Sequence, residues 1–251
     1  MEGITEKIRS TIEALKASDI NGCITGSTMT GMDFDSWQQV PDIDVFVYSR
    51  EELMWTVAWL LGSGRFKLKN EGEETKVGWM REGSFNRKYN LDTIKLVDGD
   101  VELNVTYKKH CVSLHHVLAT FDMSIIMVGY DIRRGMTLDL REGPKDVPED
   151  ERGKWSESKY VAVPNPLRLV KDTTFDVACA TRQFDRVIKY WNRGFDTRPM
   201  ARFYIDKIDA VIAKGSLFKT EVSEENFRQF VETHTEIRQK IAEWLEDKEG
   251  I

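Results

Sequence analysis

The segment Asp42-Ile43-Asp44, followed by Val45-Phe46-Val47-Tyr48, most constrains what this chain can fold into. The β-branched and aromatic residues favour a strand, and strand alternation puts Asp42 and Asp44 on one face and Ile43 on the other. The two carboxylates are then about 6–7 Å apart along the chain. Like charges held that close are costly unless cations neutralise them. Mg²⁺ (or Mn²⁺) does so as a hard ion that takes carboxylate oxygens together with phosphate oxygens of a substrate.

The segment upstream suits the same chemistry. Cys23-Ile24-Thr25 reads as a short strand running into Gly26-Ser27. Gly26 permits close backbone approach, and the pair offers free amide donors and a hydroxyl, which a triphosphate needs. Downstream, Val101–Tyr107 alternates, so Glu102, Asn104 and Thr106 share a face while Leu103 and Val105 point to the core. If this strand lies beside 43–48, Glu102 completes a three-carboxylate, two-metal site. One metal would lower the pKa of an attacking hydroxyl and the other would stabilise a leaving pyrophosphate.

The rest of the chain gives an α/β (α+β) frame. Ile4, Ile8, Ile12 and Leu15 recur at helical spacing, and Ser49 before Arg50-Glu51-Glu52 caps a helix expected through Leu61. Residues 65–97 read as irregular strand and loop, 113–118 as a short helix, and Phe121–Tyr130 as a strongly apolar strand. Four of the six prolines fall between 141 and 166, which predicts a linker or long loop there. The expected division is a core over 1–140, the linker over 141–166 and a helical domain over 167–251. In that domain Val170, Phe175, Val187 and Ile188 fit helices, and a final helix runs from Glu224 to about Trp244.

Gly26-Ser27, then Asp-x-Asp between apolar residues, then a carboxylate on a later strand, resembles the DNA polymerase beta-like nucleotidyltransferase superfamily over roughly residues 20–130. The resemblance implies a mixed sheet with flanking helices, two divalent metals, and transfer of a nucleoside monophosphate from an NTP. Two features depart from the family pattern. The loop from Gly-Ser to Asp-x-Asp is long, with Met29, Met32, Phe34 and Trp37 in it, and the third acid is Glu where Asp is commoner. Thr120-Phe121-Asp122-Met123 and Val128-Gly129-Tyr130-Asp131 resemble a strand of viral and phage-type members. Arg186-x-x-Lys189-Tyr190-x-x-Arg193-Gly194-Phe195 resembles the helix that follows it in those sequences.

On the residues alone, Arg186, Lys189, Tyr190 and Arg193 share one helical face, a cationic stripe able to close over a triphosphate or grip an RNA backbone. A solvated helix face is the ordinary explanation of such a stripe. Asp185 or Asp196 can pair with a stripe residue, and Asp122 reads as a cap between helix and strand. His110, Cys111, His115 and His116 lack a second ligand pair at zinc spacing, so helix-start polarity explains them. Trp37 can stack on a purine ring, although packing is the simpler role.

The leading expectation is an enzyme transferring a nucleoside monophosphate from an NTP to an acceptor hydroxyl, preferably an RNA 3′ end. Asp42, Asp44 and Glu102 are its catalytic and metal-binding residues; Gly26, Ser27, Lys189, Tyr190 and Arg193 bind the nucleotide. One alternative is a catalytically silent nucleotide-binding regulatory module. Another is a toxin or antidefence enzyme modifying tRNA or a protein hydroxyl. A net charge of −6 argues against a generally basic nucleic-acid coat without excluding a local groove. No apolar run spans a bilayer, and the N-terminus is amphipathic and charged. The expectation is a cytoplasmic protein, in the host cytoplasm if phage-encoded, with three reduced cysteines.

Overall fold

The computed structural model describes residues 2–31, 42–69, 91–167, 177–215 and 224–250. Met32, Phe34 and Trp37, most of the 65–97 stretch, and Val170 and Phe175 lie outside the described residues. The chain forms two compact units, one of Met1–Phe121 with Ile126–Pro144, the other of Asp122–Ile125 with Lys145–Ile251. The architecture is α+β.

The first unit begins with α1 (Glu2–Lys16), β1 (Gly22–Thr25) and the short α2 (Ser27–Gly31). Next come β2 (Asp42–Val47), α3 (Arg50–Gly62), β3 (Lys67–Leu68), β4 (Leu91–Asp98) and β5 (Val101–Lys108). After α4 (Leu114–Leu118), β6 (Val128–Asp131) and β7 (Met136–Asp139) complete a seven-stranded sheet in the order β3-β4-β5-β2-β1-β6-β7. The sheet is mixed. β2 and β5 run parallel, and the other neighbouring pairs are antiparallel. A parallel pair needs a crossover connection, and α3 lies within this one.

One face of the sheet carries the core. Ile24, Ile43, Val45, Leu103 and Val105 are completely buried. Ile8, Ile12 and Leu15 of α1 and Leu53, Val57 and Leu60 of α3 pack in the same cluster. Each such side chain stabilises the fold by about 1.5–3 kcal/mol relative to exposure. The Ser49 hydroxyl caps α3 by accepting from the Glu52 amide at 3.0 Å. With the β2 core positions thus fixed, alternation sends Asp42 and Asp44 to the opposite face.

The Phe121–Tyr130 strand expectation needs correction, because extended pairing starts only at Val128. Residues 124–126 form a 3₁₀ turn, and the Ser124 amide donates to the Val163 carbonyl at 2.8 Å. The Val163 amide returns a bond to the Ser124 hydroxyl at 3.0 Å. Met123, Ile125, Ile126 and Met127 are all buried, so the run is apolar because it is enclosed on every side.

The second unit contains α5 (Glu149–Arg152), α6 (Val177–Trp191), α7 (Arg198–Gly215) and α8 (Glu224–Glu249). α8 thus continues past the Trp244 stop expected from the sequence. Trp244 receives Phe184 and Trp191 of α6 edge-on, at centroid distances of 6.1 and 5.5 Å. Ala162, inside the proline-rich stretch, is buried and donates its amide to the Asp196 carbonyl at 2.8 Å.

Candidate active site

Strand register sets up the candidate site. In the parallel pair, Asp42 stands opposite Glu102 and Asp44 opposite Asn104. Asp44 also faces Thr25 on β1, and Asn104 faces Lys95 on β4. One transverse row across the polar face therefore reads Lys95, Asn104, Asp44, Thr25, and the adjacent row holds Glu102 and Asp42.

Asn104 links the two aspartates. Its amide nitrogen donates to Asp42 Oδ2 at 2.9 Å and to Asp44 Oδ1 at 3.1 Å. Its own Oδ1 is buried and has no hydrogen-bond partner among the described residues; the Thr25 hydroxyl is in the same condition. An unpaired buried oxygen carries a desolvation cost of about 1–3 kcal/mol, so both atoms need an explanation.

Gly26 sits against the same carboxylate. Its φ is +73°, and a Cβ built there would lie 2.8 Å from Asp44 Oδ2. Both the backbone conformation and the close approach require glycine at this position. Ser27 opens α2 and is itself buried. The Thr28 hydroxyl donates to the Asp42 carbonyl at 3.2 Å, tying the Gly-Ser turn to the start of β2.

Glu102 lies on the same face but is occupied differently. Its Oε1 accepts from Lys95 Nζ at 2.7 Å, and its Oε2 pairs with Lys69 Nζ. Burial raises its pKa, but the hydrogen bonds and charges of the two lysines outweigh this and hold it below the usual carboxylate range. Among the described residues, no group of three His, Cys, Asp or Glu side chains is placed to hold a metal ion. The structure thus brings Asp42, Asp44, Gly26 and Asn104 into contact, and sets Glu102 beside them on a pair of ammonium groups. The alternation of Val101–Tyr107 puts Asn104 on this face, but nothing local to it in the sequence marks it as a partner of the aspartates.

The cationic stripe belongs to the second unit. Tyr190 is buried and packs edge-on against Phe195 at 5.8 Å. Lys189 and Arg193 lie over its ring, 5.9 and 5.5 Å from the centroid. Arg186 pairs with the buried Asp122 at 3.0 Å, an acid that neither flanking aspartate of the helix supplies. Tyr204 completes that cluster, donating its hydroxyl to Gln183 Oε1 at 2.9 Å and approaching Asp122 Oδ2 at 3.5 Å. Asp196 instead forks onto Arg198 at 2.9 and 2.8 Å. Cys111 and His116 make local contacts, the thiol to the His116 carbonyl at 3.8 Å and the Ser113 hydroxyl to His116 Nδ1 at 3.1 Å.

No protein-family model and no curated protein matches the chain. Solved structures of tRNA-processing enzymes are similar at long range. An "apo form 2" shares 12% identity over 93% of this chain and 58% of that one, with a TM-score of 0.44. An "apo form I" shares 12% over 100% and 79%, with a TM-score of 0.39. A structure of such an enzyme with CTP shares 13% over 95% and 57%, with a TM-score of 0.41. The chain spans under two thirds of the length of the first and third, and likenesses this distant do not bear on the roles of its residues.

Proposed function

We propose that the chain is a cation-dependent nucleotidyltransferase that moves a nucleoside monophosphate from an NTP to an acceptor hydroxyl, preferably an RNA 3′ end. The observation that carries this reading is the Asp42–Asp44 pair on the sheet face opposite the core, with the Gly26 backbone pressed against Asp44. The donor set suits Mg²⁺ or Mn²⁺, because carboxylate and amide oxygens are hard ligands and a buried amide oxygen there has no partner among the described residues. Bound there, the cation would acidify the acceptor hydroxyl and neutralise the departing pyrophosphate.

The chain's own residues would hold and orient the reactants. Asp42 and Asp44 supply the carboxylates, and Gly26, lacking a side chain, lets the Asp44 carboxylate lie against the Gly-Ser turn. The acceptor oxygen bonds to the α-phosphorus, the bond to the β-phosphate oxygen breaks, and pyrophosphate leaves with that electron pair. The hydroxyl proton passes to water. On the second unit, Lys189 and Arg193, braced by Tyr190, carry charge suited to phosphate groups.

A catalytically silent nucleotide-binding module is the second reading. It is favoured by the Asn104 amide, a neutral group between the two aspartates. One assay separates the two: α-labelled NTPs with Mn²⁺ or Mg²⁺ and short RNA. Label on the RNA, lost in Asp42→Asn and Asp44→Asn, supports transfer. Cation-dependent nucleotide binding without label supports the silent module. Label retained by both variants contradicts the site.

A further inference from the structure

We infer that Asn104, not Glu102, is the third corner of the cation site, and that Glu102 instead holds Lys69 and Lys95 beside it. The inference rests on the proposed role of Asp42 and Asp44 and specifies the ligand set and charge of that same site.

Geometry separates the two candidates. Asn104 occupies the row of Asp44 and reaches both aspartates at 2.9 and 3.1 Å through its amide nitrogen. It is only 7% exposed, and its oxygen has no hydrogen-bond partner among the described residues. Turning the amide by 180° exchanges nitrogen for oxygen at nearly constant shape. The nitrogen bridges the two carboxylates. Asp42 and Asp44 would hold the cation, and the turned amide would offer it an oxygen, with the nitrogen taking the place the oxygen now has. A carboxamide oxygen is an ordinary ligand for hard divalent ions.

Glu102 cannot serve the cation without giving up what it has. Both of its oxygens are paired, one to Lys95 at 2.7 Å and the other to Lys69. Moving it would leave two ammonium groups uncompensated next to a divalent ion. The polar face thus sets three carboxylates against two lysines, where a three-acid site without such lysines would be far more negative. That balance suits one divalent cation, beside which the lysines can accept the charge of a nucleoside triphosphate. Lys69 and Lys95 are about half exposed, at 45% and 53%, and so open to a polyphosphate.

The test is Mn²⁺ binding to the full chain without nucleotide, followed by electron paramagnetic resonance of the free ion. Asn104→Ala is expected to weaken binding at least tenfold, and Asn104→Asp, an isosteric change that guards against misfolding, to tighten it at least tenfold. Glu102→Gln acts only through its field; its effect stays below about fivefold and shrinks in 0.5 M KCl, because salt screens charges beyond a few ångströms. A tenfold, salt-resistant loss in Glu102→Gln, with Asn104→Ala and Asn104→Asp unchanged, overturns the inference and leaves the Asp42–Asp44 site standing. Unchanged binding in Asp44→Asn removes the underlying site, and the inference with it.

Discussion

A side chain at position 26 would meet two obstacles, a backbone at φ +73° and a carboxylate oxygen 2.8 Å from the new Cβ. Left-handed backbone costs a residue with a Cβ about 1–2 kcal/mol, and moving Asp44 adds to that. Gly26→Ala is therefore expected to lower the urea-unfolding free energy by about 1–3 kcal/mol and to weaken Mn²⁺ binding. An unchanged midpoint would show that the turn relaxes. Cys23 offers a second check at this scale. Burial pushes its thiol up to about 12, despite a hydrogen bond with Tyr48 that acts the other way. The thiolate is the reactive form, so Cys23 should resist a thiol reagent at pH 8 in the native protein and react in denaturant.

Residue identities were more legible than residue partnerships. Asp42, Asp44 and Gly26 could be read from the sequence because a same-face acid pair and a strand-ending glycine are local patterns. The neighbour of Asp44 depends on the offset between two strands far apart in sequence. One signal for that offset was present: matching Ile43 with Leu103 and Val45 with Val105 aligns the apolar positions and puts Asn104 opposite Asp44. The lysines holding Glu102 were not legible: Lys69 follows β3, a two-residue strand with no periodicity to read, and the place of Lys95 depends on the register between β4 and β5.

At the scale of elements, Glu102 ties β5 to the edge strands. Lys95 belongs to β4 and Lys69 follows β3, so the ion cluster spans three neighbouring strands. Its pH dependence has a definite sign. The folded-state pKa lies below the ordinary 4.5, so the contribution is complete above that value and is lost as pH falls through the folded one. Thermal unfolding followed from pH 7 to pH 3 should show a decline below about pH 4.5 that is shallower in Glu102→Gln. The lysines are half exposed, so the difference is about 1 kcal/mol or less. An identical acid decline in both proteins would mean that the cluster contributes nothing.

The helix α6 makes a separate prediction. If its Lys189 and Arg193 neutralise single-stranded RNA phosphates, replacing both with Gln should weaken binding across sequences. It should also reduce the slope of log affinity against log salt by about 1.4. An unchanged slope would leave Lys189 and Arg193 to their packing over the Tyr190 ring. Elements enclosed on all sides were the hardest to read. The stretch before Val128 is apolar like a central strand, yet its Ser124 amide bonds to the Val163 carbonyl, outside the sheet.

Across the whole molecule, both compact units contribute residues that the sequence grouped by chemistry. The first unit holds the carboxylate face and the second holds the cationic helix. A net charge of −6 gives no general attraction for polyanions, so any RNA binding must come from local groups. Among the described residues, no helix is long and apolar enough to cross a membrane.

The most direct measurement is a crystal structure with Mn²⁺ and a non-hydrolysable NTP, with the metal located by its anomalous scattering. A peak is expected between the Asp42 and Asp44 carboxylates, with the Asn104 oxygen turned toward it and Glu102 still paired to Lys95. A peak on Glu102, or none near Asp44 while nucleotide is bound elsewhere, would contradict it.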